Sequence, residues 1–200
     1  MKRRCLLSLP VLVGGCSVLP DRPFIETRLY PLEPRRAGPP ATARPRNALL
    51  LRTMRAAPGL EQRGLRRLRQ DGTMETAPYE EWLAPPADLA ELALREWLAA
   101  SGRFSAVAAS GSRLLTNLTL ETTLLVLQVE GDGARAAVSA LLLAPLREDG
   151  EPRPRGQRRF EATILLGDAG DGIKQALGMQ SALARVFTEM ESWIVSLISV

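Results

Sequence analysis

This chain predicts an α+β fold: a single antiparallel-rich β-sheet with two helices packed on it as a two-layer sandwich. Three observations carry the prediction. Leu118, Leu120, Thr122, Leu124 and Val126 alternate at period two in the first of three successive strand-like runs, which are separated by Gly131-Asp132-Gly133 and Glu148-Asp149-Gly150. Apolar residues recur at spacings of three and four over Leu89 to Ala100 and again over Ile173 to Ile198. The order is therefore strands, helix, strands, helix, and one sheet carrying both helices on a face is the simplest way to bury both stripes.

The N-terminus comes first in the order of elements. Lys2-Arg3-Arg4 and the nine-residue apolar run Cys5 to Val13 have the layout of a secretory signal peptide. Nine residues fall far short of the roughly 20 that a spanning helix needs. Gly14-Gly15 directly before Cys16 resembles a bacterial lipobox, in which the chain is cut before the cysteine and the cysteine is acylated. A plain signal peptide with an incidental cysteine is the alternative. Residues 1–15 are thus read as a lipoprotein signal peptide and 16–46 as a lipidated Cys16 with a Pro/Arg-rich tether. The folded domain is read as 47–200. Arg35 to Arg46 is the loosest part of the tether, while Leu29-Tyr30-Pro31-Leu32 is apolar enough to dock as an edge strand that tolerates its proline.

Beyond Asn47, Ala48 to Arg52 is a short buried strand. Asp71-Gly72 marks a hairpin within Gly59 to Thr76. Pro85-Pro86 opens the first helix, where a missing N–H costs nothing, and Ser101-Gly102 stops it. Leu114 to Val129, Ala134 to Leu146 and Arg158 to Leu166 then read as an antiparallel meander. Asp171 is the predicted N-cap of the long C-terminal helix.

Composition removes several function classes. The formal charge of +4 comes from 26 basic and 22 acidic residues. Losing Lys2, Arg3 and Arg4 with the signal leaves 23 against 22, close to neutral. The charge is uneven: residues 17–70 hold 12 arginines and 4 acids, so a basic near-membrane segment can meet anionic headgroups. An arginine-rich bias, 24 Arg to 2 Lys, explains the same excess without a ligand. Nucleic-acid binding has no support, since aromatic stacking residues and a binding motif are both missing. The chain has no histidine, which excludes His-dependent catalysis and His-ligated metals. Cys5 leaves with the signal and Cys16 takes the lipid, so no thiol remains for zinc or a disulfide.

The remaining candidate groups read as structural. Gly167-Asp168-Ala169-Gly170-Asp171-Gly172 looks like a calcium or phosphate loop, but no Lys-Ser/Thr follows it. Met179 also stands where an EF-hand starting at Asp168 needs its glutamate. Glu80-Glu81 are adjacent in sequence and such neighbours rarely face each other for acid–base work, while Ser101 and Ser110-Gly111-Ser112 have no base partner that the sequence identifies. The apolar end of the last helix, Trp193 to Val200, reads either as core or as a surface for a partner helix, an oligomer or lipid.

Several short pieces stand in one order: Tyr30-Pro31-Leu32, Pro58-Gly59-Leu60, Tyr79-Glu80-Glu81-Trp82, Pro85-Pro86-Ala87-Asp88-Leu89, Ser101-Gly102-Arg103-Phe104-Ser105-Ala106-Val107, Arg159-Phe160, then a helix ending at Trp193-Ile194. In that order they resemble the ABC-type transport auxiliary lipoproteins, of the paraquat-inducible protein C type. The resemblance runs from the lipobox nearly to the last residue. It implies no enzymatic activity, no catalytic residues and no cofactor or metal. It implies a partnership with a mammalian-cell-entry-type substrate-binding protein, a permease and an ATPase. Such a system moves lipids, phospholipid among them, or other hydrophobic molecules between membranes. It further implies attachment by Cys16 at the periplasmic face of the outer membrane, with homo-oligomer formation open. Ser17 after the cysteine, rather than aspartate, is compatible with that sorting. A structural or assembly lipoprotein, recruiting an outer-membrane or cell-wall partner without handling lipid, is the alternative reading. A serine hydrolase is the third.

Overall fold

The computed structural model describes residues 23–42, 44–146, 152–167 and 170–198. The signal segment, Cys16, the turn expected at Glu148-Asp149-Gly150, and Asp168 lie outside the described residues. The order is β1 (Arg28–Tyr30), β2 (Ala48–Leu51), β3 (Arg55–Ala56), β4 (Gly64–Leu68), β5 (Met74–Trp82), α1 (Pro86–Ala100), β6 (Ala106–Ala109), β7 (Leu118–Glu130), β8 (Gly133–Leu146), β9 (Pro152–Leu165) and α2 (Gly172–Ile198). The α+β class is as predicted, and the β7-β8-β9 meander is antiparallel throughout.

The sheet is mixed rather than simply antiparallel. β7 is its axis. Along one side runs β8; along the other, three short strands lie end to end, β2 opposite Leu118–Leu120, β3 opposite Thr123 and Leu124, and β4 opposite Val129 and Glu130, all parallel to β7. Beyond this row the sheet forks. β6 continues it in parallel next to β2, while β5 pairs antiparallel with β4 and carries β1 in parallel at the far edge. The row breaks because Pro58 can donate no ladder bond and Gly59 takes φ +86°, a turn conformation that side-chain-bearing residues rarely adopt. Periodicity reports which residues are buried but not strand direction, so the parallel pairs were not visible in the pattern.

Both helices cover one face. β8 turns Ala134, Ala136, Val138, Ala140 and Leu142 inward, and α2 answers with Ala176, Met179, Ala182, Leu183, Val186, Phe187, Met190 and Ile194. The approach is close: a Cβ on Gly178 would stand 2.9 Å from Ala134 Cβ. α1 meets α2 through Trp97 against Phe187, edge to face at 5.6 Å, and Phe160 of β9 meets Trp193 the same way at 5.4 Å. Ile194 therefore belongs to the core and the half-buried Trp193 packs against it, and Asp171 accepts from the Lys174 N–H at 3.0 Å as the expected N-cap.

Two details differ from expectation. The strand predicted from Leu114 starts at Leu118, and Leu114-Leu115 lies in an outward loop with Leu115 94% exposed. The loop must return from the end of β6 to the start of β7, and Asn117 pins that return by accepting from the Ala48 N–H at 2.8 Å. The tether is docked well before Asn47. β1 is in the sheet, Leu32 is in the core, and the Ala41 N–H donates to the Ser101 carbonyl.

Candidate functional site

The N-terminal arm, from Arg28 to Ala41, is held at three points. At the first, Tyr30 pairs with Trp82 in the β1–β5 register and its hydroxyl donates to Glu80 Oε2, with Arg28 3.6 Å from the same carboxylate. Burial first, and then the neighbouring Glu80 carboxylate, push the Tyr30 phenol above its ordinary value, so it stays a donor. At the second point Leu32 enters the core. The third is a charge clamp. Arg36 grips Glu191 of α2 with two donors, Nε to Oε2 at 3.1 Å and Nη2 to Oε1 at 2.9 Å. Trp97 Nε1 of α1 donates to the same Oε2 at 2.9 Å. The Arg36 and Glu191 side chains keep only 17% and 12% of their exposure, and the bond to Glu191 raises the Arg36 value further. Arg36 Nη1 also reaches the carbonyls of Gly38 and Pro39, at 3.1 and 3.3 Å, which fixes the turn that leads away.

Between this arm and the outer side of α1 lies a groove of about 440 Å³. Leu83, Leu89, Leu92 and Ala93 form its apolar wall, and Glu33, Arg35 and Glu96 stand on its rim. A larger polar depression of about 830 Å³ sits between the β4–β5 hairpin and the β7–β8 turn. Several of its charges are already engaged: Arg69 holds Glu75 at 2.9 Å, and Asp71 accepts from Thr73.

Where the structure describes them, the candidate residues from the sequence make these contacts. Glu80 serves Tyr30 and Arg28, while Glu81 pairs with Arg63 at 2.8 Å. Ser101 Oγ donates to the Leu98 carbonyl and closes α1. Ser110 and Ser112 accept from the Thr53 and Leu114 N–H groups. Among the described residues no group of three or more His, Cys, Asp or Glu side chains is placed to hold a metal ion. No described helix is long and apolar enough to cross a membrane. The sequence reading missed the clamp of Arg36, Trp97 and Glu191. A signal for it existed: Glu191 interrupts the apolar stripe between Phe187, Met190 and Ile194, where a lone carboxylate needs a partner.

These features define an α+β domain that is gripped at a sheet edge by the segment leading from its N-terminus. The chain belongs to the ABC-type transport auxiliary lipoprotein component family, whose model matches residues 30–191. That match begins at Tyr30, inside β1. Among solved structures, a Xanthomonas campestris protein of the DUF330 family is similar at TM-score 0.71 and 21% identity, covering 85% of this chain and 95% of its own. A hypothetical protein from Chlamydia trachomatis is similar at TM-score 0.57 and 10% identity, covering 77% and 99%. At these identities the likeness is one of fold. No curated protein is similar enough to count as a match.

Proposed function

We propose that this protein is exported, cut before Cys16 and acylated there. Anchored at the periplasmic face of the outer membrane, it serves as the auxiliary lipoprotein of a mammalian-cell-entry type ABC system for intermembrane transport of lipids or other hydrophobic molecules. It acts by docking the machine rather than by catalysis. The observation that carries the reading is the family match over residues 30–191, joined to a signal-like N-terminus that ends in Gly14-Gly15-Cys16. The physical arrangement supports it. Residues 16–27, extended, reach roughly 40 Å, and they end at a strand and a buried ion pair that pass a pull on the anchor into the sheet and both helices.

The test is a crosslinked pull-down of the protein from membranes, with mass spectrometry of proteins and lipids. Recovery of a mammalian-cell-entry protein with a permease and an ATPase is expected. Recovery of only barrel or cell-wall partners overturns the transport role in favour of a structural lipoprotein. Cys16→Ala is expected to block acylation and abolish system function while the domain stays folded.

A further inference from the structure

The long axis of the domain is polarised. One end gathers the β4–β5 hairpin, the β7–β8 turn and the entry to α2. Residues 69–73, 130–133, 166–167 and 170–172 there carry Asp71, Glu130, Asp132 and Asp171 against Arg69 alone. The opposite end gathers the arm before β2, the exit of α1, the start of β7, the end of β8, the start of β9 and the exit of α2. Its parts are physically joined. The Ser105 N–H donates to the Asn47 carbonyl, the Asn117 N–H to the Ala48 carbonyl, and Gly156 packs beneath Trp193 and Leu197. Among the described residues, 37–50, 99–118, 144–146, 152–156 and 192–198 hold six arginines and no acid. Arg147, Glu148, Asp149 and Glu151 lie outside the described residues.

Arg44, Arg46, Arg103, Arg113, Arg153 and Arg155 are all exposed at this end. They are accompanied by apolar side chains at the surface, of which Leu114 and Leu115 are exposed and Val195 and Ile198 half-buried. Leu115 points outward beside the half-exposed Leu114, and a small cleft of about 210 Å³ sets Arg46 and Arg103 beside Val195 and Ile198.

We propose that this basic end docks on an anionic lipid bilayer surface, separately from any lipid anchor. The mixture selects a bilayer over an acidic protein. The arginines come from three separate stretches of chain spread across one end, instead of lining one groove that an acidic segment would follow. Leucines stand among them where an interface can take them up. Each arginine near such a surface contributes, and salt screens the sum. The length of chain before the arm permits the contact. Twelve residues, 16–27, would reach roughly 40 Å if fully extended, comparable to the length of β7, so a chain tethered at Cys16 can lay this end on the same membrane. The proposal does not depend on the transport role.

The test is hydrogen exchange on the full chain reconstituted in phosphatidylcholine vesicles and in vesicles that also contain phosphatidylglycerol. Exchange in peptides covering 40–50 and 110–118 is expected to slow severalfold on the anionic vesicles alone, and to recover in high salt. The surface variant R113Q/R153Q/R155Q, with an unchanged melting curve, is expected to lose the difference, and Leu115→Ser to reduce it. Equal exchange on both vesicles overturns the proposal, as does a difference that survives the triple variant or high salt. Slowing by poly-glutamate but not by anionic vesicles also overturns it and assigns the end to an acidic protein.

Discussion

Two charge networks lie on opposite sides of the sheet, and their settings differ. On the open face, Arg135 bridges Glu130 at 2.8 Å and Glu161 at 2.6 Å, and Arg159 meets Glu161 at 2.8 Å. On the helical side, Arg36, Glu191 and Trp97 form a network of similar size and distances. The first stands in water: the Arg159 side chain is half exposed and Glu161 a third exposed. The second is walled in by both helices and the arm. Similar geometry therefore has unequal consequences. Water competes for the outer carboxylates, so they tune the surface. It is largely excluded from Glu191, so that carboxylate decides where the arm lies. The difference teaches that the arm is held by an acceptor shared between three parts of the chain, not by strand pairing alone.

The largest effect is expected from Glu191→Ala. It strands the Arg36 guanidinium and the Trp97 Nε1–H together, and urea unfolding should show a loss of about 2 kcal/mol. A loss no larger than that of an outer-face substitution would erase the contrast between the networks. Next, Trp97→Phe keeps the ring against Phe187 and removes one donor, for about 1 kcal/mol in the same assay. A double-mutant cycle sharpens the comparison. Arg36→Ala with Glu191→Ala should couple by more than about 1 kcal/mol, and Arg159→Ala with Glu161→Ala by less than about 0.5 kcal/mol.

Two smaller effects depend on pH. Burial works against the Glu161 charge, but the hydrogen bonds from Arg135 and Arg159 outweigh it and hold the carboxyl below its ordinary 4.5. Its contribution is therefore present above the unfolded value and lost as pH falls through the lower folded one. Acid unfolding of Glu161→Gln should show a slightly flatter profile in that window, and no change there would remove Glu161 from the acid response. The Tyr30 phenol is raised above its ordinary 10.0, so its contribution is complete below that value and fades as pH rises through the higher folded one. Tyr30→Phe should flatten the alkaline limb of the stability curve. A limb identical to that of the parent protein would mean that β1 holds without the Glu80 contact.

How far these regions could be read in advance differs in the same way. The Asp71-Gly72 hairpin, the Pro86 start and Ser101 stop of α1, the Asp171 cap and the β7–β9 meander were legible because each rests on contacts within a few residues, or on a turn that joins neighbours. The docked arm was half legible, since Leu29 to Leu32 looked apolar enough to pair, yet Arg36 sat in the stretch that looked loosest. Proline and arginine content suggests an extended segment but does not say whether a partner waits 155 residues away.

Read alone, the sequence was enough for the α+β class, the two amphipathic helices, the exclusion of histidine chemistry, and the order of short motifs that marks the family. These follow from residue types and local periodicity, which operate at any stage of folding. Only the tertiary structure decided that β2, β3 and β4 share one side of β7 in parallel, that Leu115 faces solvent, that Glu191 locks the N-terminal arm, and that scattered arginines converge on one end. Each of those depends on contacts between segments far apart in the chain. Burial and hydrogen-bond satisfaction choose such partners only when the whole sheet and both helices are in place.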